Sequence, residues 1–176
     1  MKYETRTVVK EEKFENVINF FEQNASKKEL ENQIIYNYHT EGDFRLIRTK
    51  NYVELSHRST NKENTVYIGK KYEKDLIDMF RNIGISVDFK RFRNRYKYIY
   101  EDFYITVDKN IKTGNILRVS FKYNEEEDKQ NKLTKINDLY KTLNIEETSL
   151  ENFEEIYGKY RHSWNDLVGD IDEEQF

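Results

Sequence analysis

The chain of 176 residues contains no cysteine, no proline and only six glycines. Without cysteine there can be no disulfide, no thiolate metal ligand and no cysteine nucleophile. So few glycines leave little material for a glycine-rich phosphate loop, and the sequence holds neither a P-loop nor a recognisable nucleophile–His–acid pattern. No apolar run approaches the roughly 20 residues of a membrane-spanning helix, and Met1-Lys2-Tyr3-Glu4 does not begin a signal peptide. A soluble intracellular, cytoplasmic protein with no membrane partner is the expectation. An excess of one charge sign is also missing. Thirty Lys and Arg stand against 33 Asp and Glu, giving a formal net charge of −3. Any anion site must therefore come from local clustering rather than from the overall field.

What the chain does have is aromatic mass. Fourteen tyrosines and eleven phenylalanines supply apolar area that the polar composition would otherwise lack, enough for a packed core in a chain of this length. One domain over residues 1–165 is expected, followed by an acidic, flexible tail over residues 166–176. Nothing in the composition marks a linker or a repeat.

Residues 87–100 organise the reading. Taken with a period of two, Arg91, Arg93, Arg95 and Lys97 fall on one side, and Phe92, Tyr96, Tyr98 and Tyr100 on the other. Side chains alternate across a strand, so this is a long β-strand with a cationic and an aromatic face. Elsewhere the pattern predicts strands over residues 2–9, 33–40, 44–49, 52–58, 65–68, 103–111 and 116–123. Lys50-Asn51 would join a hairpin, and residues 59–64 a polar loop. Helices are predicted over residues 10–23, 71–83, 125–143 and 150–160, from apolar positions at i, i+3, i+4 and i+7 such as Phe14, Val17, Ile18 and Phe21. In the second of these, Tyr72, Leu76, Met79, Phe80 and Ile83 make the stripe. Ser26 with Glu29, and Thr148 with Glu151, have capping-box spacing, the former suggesting a short helical turn. Several strands carry one charge-rich face, notably Lys2, Glu4 and Arg6, then Glu54, Ser56 and Arg58, then Arg118, Ser120 and Lys122. The fold class expected is α+β: an antiparallel eight-stranded, closed or nearly closed β-barrel forming a tunnel. Its lumen is polar and cationic and its helices pack outside.

The order and spacing of these segments resemble the CYTH, or triphosphate tunnel, superfamily, which includes class IV adenylyl cyclases, thiamine triphosphatases and tunnel-type RNA triphosphatases. Lys2-Tyr3-Glu4-Thr5-Arg6 occupies the place of the opening Glu-x-Glu-x-Lys/Arg motif. Leu55-Ser56-His57-Arg58, with Arg48 upstream, stands for the Leu-Thr-Tyr-Lys strand. Arg91-Phe92-Arg93-Asn94-Arg95-Tyr96 matches Lys-x-Arg-x-x-Tyr. Val107-Asp108, Thr113-Gly114 and Leu117-Arg118-Val119-Ser120 follow at the spacing of the family's Leu-Asp, Leu-Gly and Glu-x-Glu run. The resemblance spans nearly the whole chain and rests on the order of the motifs, each of which is individually unspecific.

It implies a ligand bearing a polyphosphate: a nucleotide, a signalling nucleotide or an RNA 5′ triphosphate. The binding residues would be Lys2, Arg6, Arg48, Arg58, Arg91, Arg93, Arg95 and Arg118. It also implies Mg²⁺ or Mn²⁺ held by carboxylates, the hard oxygen ligands those ions require, if catalysis takes place. Here the chain departs from the pattern. Lys2 replaces one carboxylate of the first motif, and Arg118 and Ser120 replace two glutamates of the last, leaving Glu4 and Asp108 as metal ligands, with Glu54 a further carboxylate on a polar face. Binding with lost or weakened metal-dependent catalysis is the first expectation, and no cofactor is needed for it. An active divergent triphosphatase or nucleotidyl cyclase is the second. A protein-interaction subunit whose tunnel charges pair among themselves is the third. His39, His57 and His162 are scattered, and His57 points away from the cationic face by alternation.

Overall fold

The computed structural model describes residues 1–59 and 62–176. Eight strands and four α-helices follow in the order β1 (Lys2–Val9), α1 (Glu11–Asn24), β2 (Lys27–Tyr38), β3 (Asp43–Arg48), β4 (Tyr52–Ser59), β5 (Lys62–Gly69), α2 (Glu73–Asn82), β6 (Val87–Tyr100), β7 (Phe103–Asn110), β8 (Gly114–Lys122), α3 (Glu126–Thr142) and α4 (Leu150–Val168). The strand order is β1-β8-β7-β6-β2-β3-β4-β5, and the pairs β1–β8, β7–β8, β2–β3, β3–β4 and β4–β5 are antiparallel. The fold class is α+β, as the sequence leads one to expect. Contacts divide the chain into two compact units. The first holds Met1–Leu30 with Arg95–Tyr157, the second Glu31–Asn94 with Gly158–Phe176.

In the first unit, α1 and α3 cover one face of the strands. Phe14, Val17, Ile18 and Phe21 of α1 and Ile136, Leu139 and Tyr140 of α3 pack with Tyr98, Ile105, Val107, Leu117, Val119 and Phe121. Aromatic geometry sets the α1 contact: Phe21 stacks on Tyr98 at 5.4 Å and meets Tyr100 edge-on at 5.9 Å. After α1 the sequence suggests a helical turn at Ser26. A strand begins there instead, because the Ser26 amide and hydroxyl both bond to the Ile99 carbonyl, at 2.9 and 3.1 Å, which aligns the chain with β6. The α4 cap also differs from the expected Thr148–Glu151 box. Ser149 accepts from the Asn152 amide at 3.3 Å, while the Thr148 hydroxyl accepts from the Val8 amide at 2.9 Å and bonds Thr7, tying the α3–α4 connection to β1. Left-handed backbone, which glycine tolerates, is adopted at Gly84 (φ 81°) after α2 and at Gly114 (φ 86°) entering β8, among other positions.

In the second unit, Tyr38, Phe44 and Phe80 form an aromatic cluster that seats α2 on the sheet. The α2 stripe read from the sequence is only partly used: Phe80 is buried, whereas Tyr72, Met79 and Ile83 are exposed. Residues 70–72 form a 3₁₀ turn rather than the start of that helix. The polar loop expected over residues 59–64 is shorter, since residues 62–64 belong to β5, while Thr60 and Asn61 lie outside the described residues. The end of the chain departs most from the reading. Helix α4 continues to Val168, and the acidic segment read as a solvated tail is seated: Glu173 bonds Tyr36 and Lys90, and the Phe176 ring meets Phe92 at 5.3 Å.

Because Phe21 is fully buried at the centre of the first unit's aromatic contacts, Phe21→Ala should lower stability by about 3–5 kcal/mol. Urea unfolding followed by circular dichroism will measure it.

Candidate functional site: a cationic strand face

Residues directly opposed in an antiparallel pair share a face. In the first unit the β1–β8 and β7–β8 registers therefore make rows on the side away from the apolar core. One row is Arg6–Arg118–Thr106, the next Glu4–Ser120–Tyr104, and beyond them Lys2 faces Lys122. Leu117, Val119 and Phe121 alternate onto the helix side, fully buried, which fixes Arg118 and Ser120 on the other. The strands thus present four of the expected residues, Lys2, Glu4, Arg6 and Arg118, on one polar face.

Asp108 anchors that face. It is 1% exposed and receives a bidentate pair from Arg95, Nε to Oδ1 at 2.6 Å and Nη2 to Oδ2 at 2.7 Å. Such fork-to-carboxylate geometry is the strongest form of the interaction. Arg118 extends the network more loosely, with Nη1 at 3.3 Å from Glu4 Oε1 and Nε at 4.0 Å from Asp108 Oδ2. The second distance is too long for a hydrogen bond. Arg118 Nε is accordingly buried with no hydrogen-bond partner among the described residues, and so is the hydroxyl of Thr106, its cross-strand neighbour. On the other side Arg6 stands opposite Arg118, its guanidinium 4.8 Å from the centre of the Phe153 ring of α4. Two arginines in direct register repel unless a countercharge lies between or above them. The carboxylates nearby, Glu4 and Asp108, are already shared with Arg118 and Arg95.

The metal ligands implied by the resemblance do not assemble. Glu4 faces Ser120 in register and contacts Arg118, while Asp108 is held by Arg95. Among the described residues no three His, Cys, Asp or Glu side chains group to hold a cation. A guanidinium beside each carboxylate is the wrong environment for Mg²⁺ or Mn²⁺, which needs several converging oxygens. The residues present do not fit the metal.

In the second unit the polar face carries Arg91 and Arg93, both buried. Arg91 Nη2 donates to Asn37 Oδ1 at 3.3 Å and Arg93 Nε to Gln33 Oε1 at 2.7 Å. The β2–β3 and β3–β4 registers add Asn37 opposite Arg45, Arg45 opposite Ser56, and Asp43 opposite Arg58. Arg45 donates to the Ser56 hydroxyl at 3.1 Å and lies 3.2 Å from Asp43. Glu54 lies on this face opposite Tyr67, whose phenol its charge pushes above the ordinary value.

Arg48 requires a correction. It lies one register step from Ile47, so it projects to the opposite, helix-bearing side, where it pairs with Glu73 at 3.0 Å and Glu174 at 3.2 Å. Arg45, absent from the expected set, takes the polar-face position. Local alternation does not reveal this, because the adjacent Leu46 and Ile47 are both buried, one on each side of the strand. Thr106, Gln33 and Asn37 were also missed, being neutral residues that composition alone does not single out.

The histidines form no constellation. His57 Nε2 lies 3.3 Å from the Glu41 carbonyl, beside Phe44, and the His39 amide bonds Ser86. His162 is exposed on α4. A cavity of about 290 Å³ in the first unit opens between β1 and α3. Tyr3, Thr5, Tyr140 and Glu147 are among its lining residues and no arginine is, so it is distinct from the cationic face. Among the described residues no helix is long and apolar enough to cross a membrane.

No protein-family model matches the chain, and no curated protein matches it by sequence. Its likeness is to solved structures. A candidate adenylate cyclase from Vibrio parahaemolyticus superposes with a TM-score of 0.61 at 14% identity, over 89% of this chain and 97% of the other. A candidate adenylyl cyclase from Hippeastrum, described as having a dominant triphosphatase activity, gives 0.55 at 12% identity over 90% and 96%. A chain of the Schizosaccharomyces pombe Mediator head module gives 0.60 at 11% identity over 80% and 94%. The chain therefore shares the fold of these structures, in keeping with the resemblance of its sequence motifs. At these identities the likeness extends to fold alone.

Removing the anchor leaves two guanidiniums without their shared carboxylate. Asp108→Asn should lower stability by about 3 kcal/mol, measured by chemical denaturation, whereas Glu4→Gln, at a more exposed pair, should cost under about 1 kcal/mol.

Proposed function

We propose that the chain binds a polyphosphate-bearing anion, such as a nucleotide or an RNA 5′ triphosphate, on its cationic strand faces, without metal-dependent catalysis. The observation that carries this reading is the row Arg6–Arg118–Thr106, with a buried Arg118 Nε–H and a buried Thr106 hydroxyl that find no hydrogen-bond partner among the described residues. An unsatisfied buried donor is costly, more so when charged. A phosphate oxygen over this row would accept from Arg118 and Thr106 and place negative charge between two opposed arginines. Arginine suits that role because its planar fork takes two oxygens at once. In the second unit Arg45, Arg91 and Arg93 offer further guanidiniums, already oriented by Ser56, Asn37 and Gln33.

A hydrolase or cyclase reading would need carboxylates free to gather a divalent cation, and Glu4 and Asp108 are engaged with arginines instead. The pairing of Arg95 with Asp108 favours a second reading, in which the charges chiefly neutralise one another and the fold serves as a scaffold for protein contacts.

Isothermal titration with tripolyphosphate and ATP, in EDTA and again with Mn²⁺, separates these. The expected result is binding in EDTA that weakens about ten- to a hundredfold in Arg118→Ala, the range of a charge-assisted hydrogen bond. Phosphate release that depends on Mn²⁺ would establish the enzymatic reading, and no binding of either anion would leave the scaffold.

A further inference from the structure

A second charged constellation lies on the helix-bearing side of the second unit, away from the polar face. Glu173 sits among three donors. Lys90 Nζ approaches its Oε1 at 2.6 Å, the Tyr36 hydroxyl donates to its Oε2, and Arg48 Nη1 lies 3.6 Å away. Arg48 Nη2 reaches Glu174 at 3.2 Å. Two residues on, the Phe176 ring packs edge-on against Phe92 at 5.3 Å, and Asn32 Nδ2 donates to its backbone oxygen at 3.1 Å.

Although burial pushes the Glu173 carboxyl up, hydrogen bonds from Lys90 and Tyr36 and the charges of Lys90 and Arg48 outweigh it and hold the group below its ordinary value. Glu173, Glu174 and Phe176 thus each meet a matched feature on the sheet.

The receiving surface also holds its shape by contacts that do not involve this segment. Arg48 is braced by Glu73 at 3.0 Å, itself bonded to Lys70. Lys90 lies over the rings of Tyr36 and Trp164, at 5.4 and 6.0 Å. The Tyr160 hydroxyl donates to the Lys90 carbonyl at 2.6 Å, fixing α4 beside the strand. The grip on the segment is weaker than the platform beneath it. The Glu174 side chain is 85% exposed, and ion pairs so open to solvent contribute little. What keeps the segment in place is largely its tether, which supplies an effective concentration of order millimolar.

We propose that Tyr36, Arg48, Lys90 and Phe92 form a binding site for an acidic peptide segment carrying an aromatic residue two positions after its carboxylate pair. The chain's own Glu173-Glu174-Gln175-Phe176 occupies it in cis, and a partner protein bearing a segment of that chemistry takes it in trans. Two cations converging on one carboxylate select acidic over neutral peptides. Phe92, buried beneath Phe176, selects the aromatic. Displacing the cis segment would also release α4's extension, which gives such a partner a means of reaching the rest of the second unit.

The test uses full-length protein. In the variant Glu173→Gln, Glu174→Gln, Phe176→Ala the cis occupant is disabled while the platform is untouched. The probe is a fluorescein-labelled synthetic peptide with the sequence of residues 169–176, followed by polarisation at low salt. The triple variant should bind it at least tenfold more tightly than wild type. Adding Lys90→Gln should remove at least tenfold of that gain, and raising the salt should weaken binding. Trp164, the chain's single tryptophan, reports occupancy through its emission. Failure of the triple variant to bind the peptide, while circular dichroism shows it folded, would overturn the proposal. So would binding indifferent to Lys90→Gln. Dimers of the wild-type chain that dissociate on adding the peptide would assign the surface to exchange of this segment between copies instead.

Discussion

The first unit's polar face depends on how a fully buried carboxylate is neutralised. Asp108 is 1% exposed, and a lone ionised carboxylate at that depth would cost far more than its packing returns. The bidentate contact from Arg95 removes that cost and ties β6 to β7. Once Arg95 is spent on Asp108, the guanidiniums beside that pair are those of Arg118 and Arg6, in direct register. Glu4, at the more exposed end, meets Arg118 at 3.3 Å but does not reach Arg118 Nε. The face is therefore ordered by one strong pair and left with unmet donors beside it. That is the arrangement expected of a surface that holds an anion and lacks the converging oxygens that would hold a metal.

The same residue choice limits the chemistry. Arg118 and Ser120 alternate with Leu117, Val119 and Phe121 along β8, so they must face away from the helices. Arg118 consequently stands between Glu4 and Asp108, the two carboxylates that a cation would have to bridge. A single guanidinium thus carries the donor on which the proposed anion binding rests and also stands between the two carboxylates.

Much of this was legible in strand periodicity. The alternation of Arg118 and Ser120 against apolar neighbours, and of Arg91 and Arg93 against Phe92, placed those arginines on the correct side because each strand has one apolar parity. Arg48 was misplaced for want of that signal: β3 is six residues long, and Leu46-Ile47 puts an apolar residue on each side. The end of the chain was misread for another reason. A run rich in Asp and Glu satisfies the composition of a solvated tail, and nothing local reveals that Lys90, Arg48 and Tyr36, more than 70 residues earlier in the sequence, converge to receive it. Long-range charge pairing is invisible to composition, as is the demotion of the Ser26 cap by the Ile99 carbonyl.

The central claim is that Arg118 and Arg6 hold a phosphate chain while Arg95 remains committed to Asp108. Nitrogen-15 NMR of the arginine side chains, titrated with tripolyphosphate in EDTA, tests it directly. The account predicts that the Nε–Hε resonances of Arg118 and Arg6 move with saturable dependence on the ligand and that the Arg95 resonance stays in place. Stationary Arg118 and Arg6 resonances, or movement that appears only when a divalent cation is added, would contradict it.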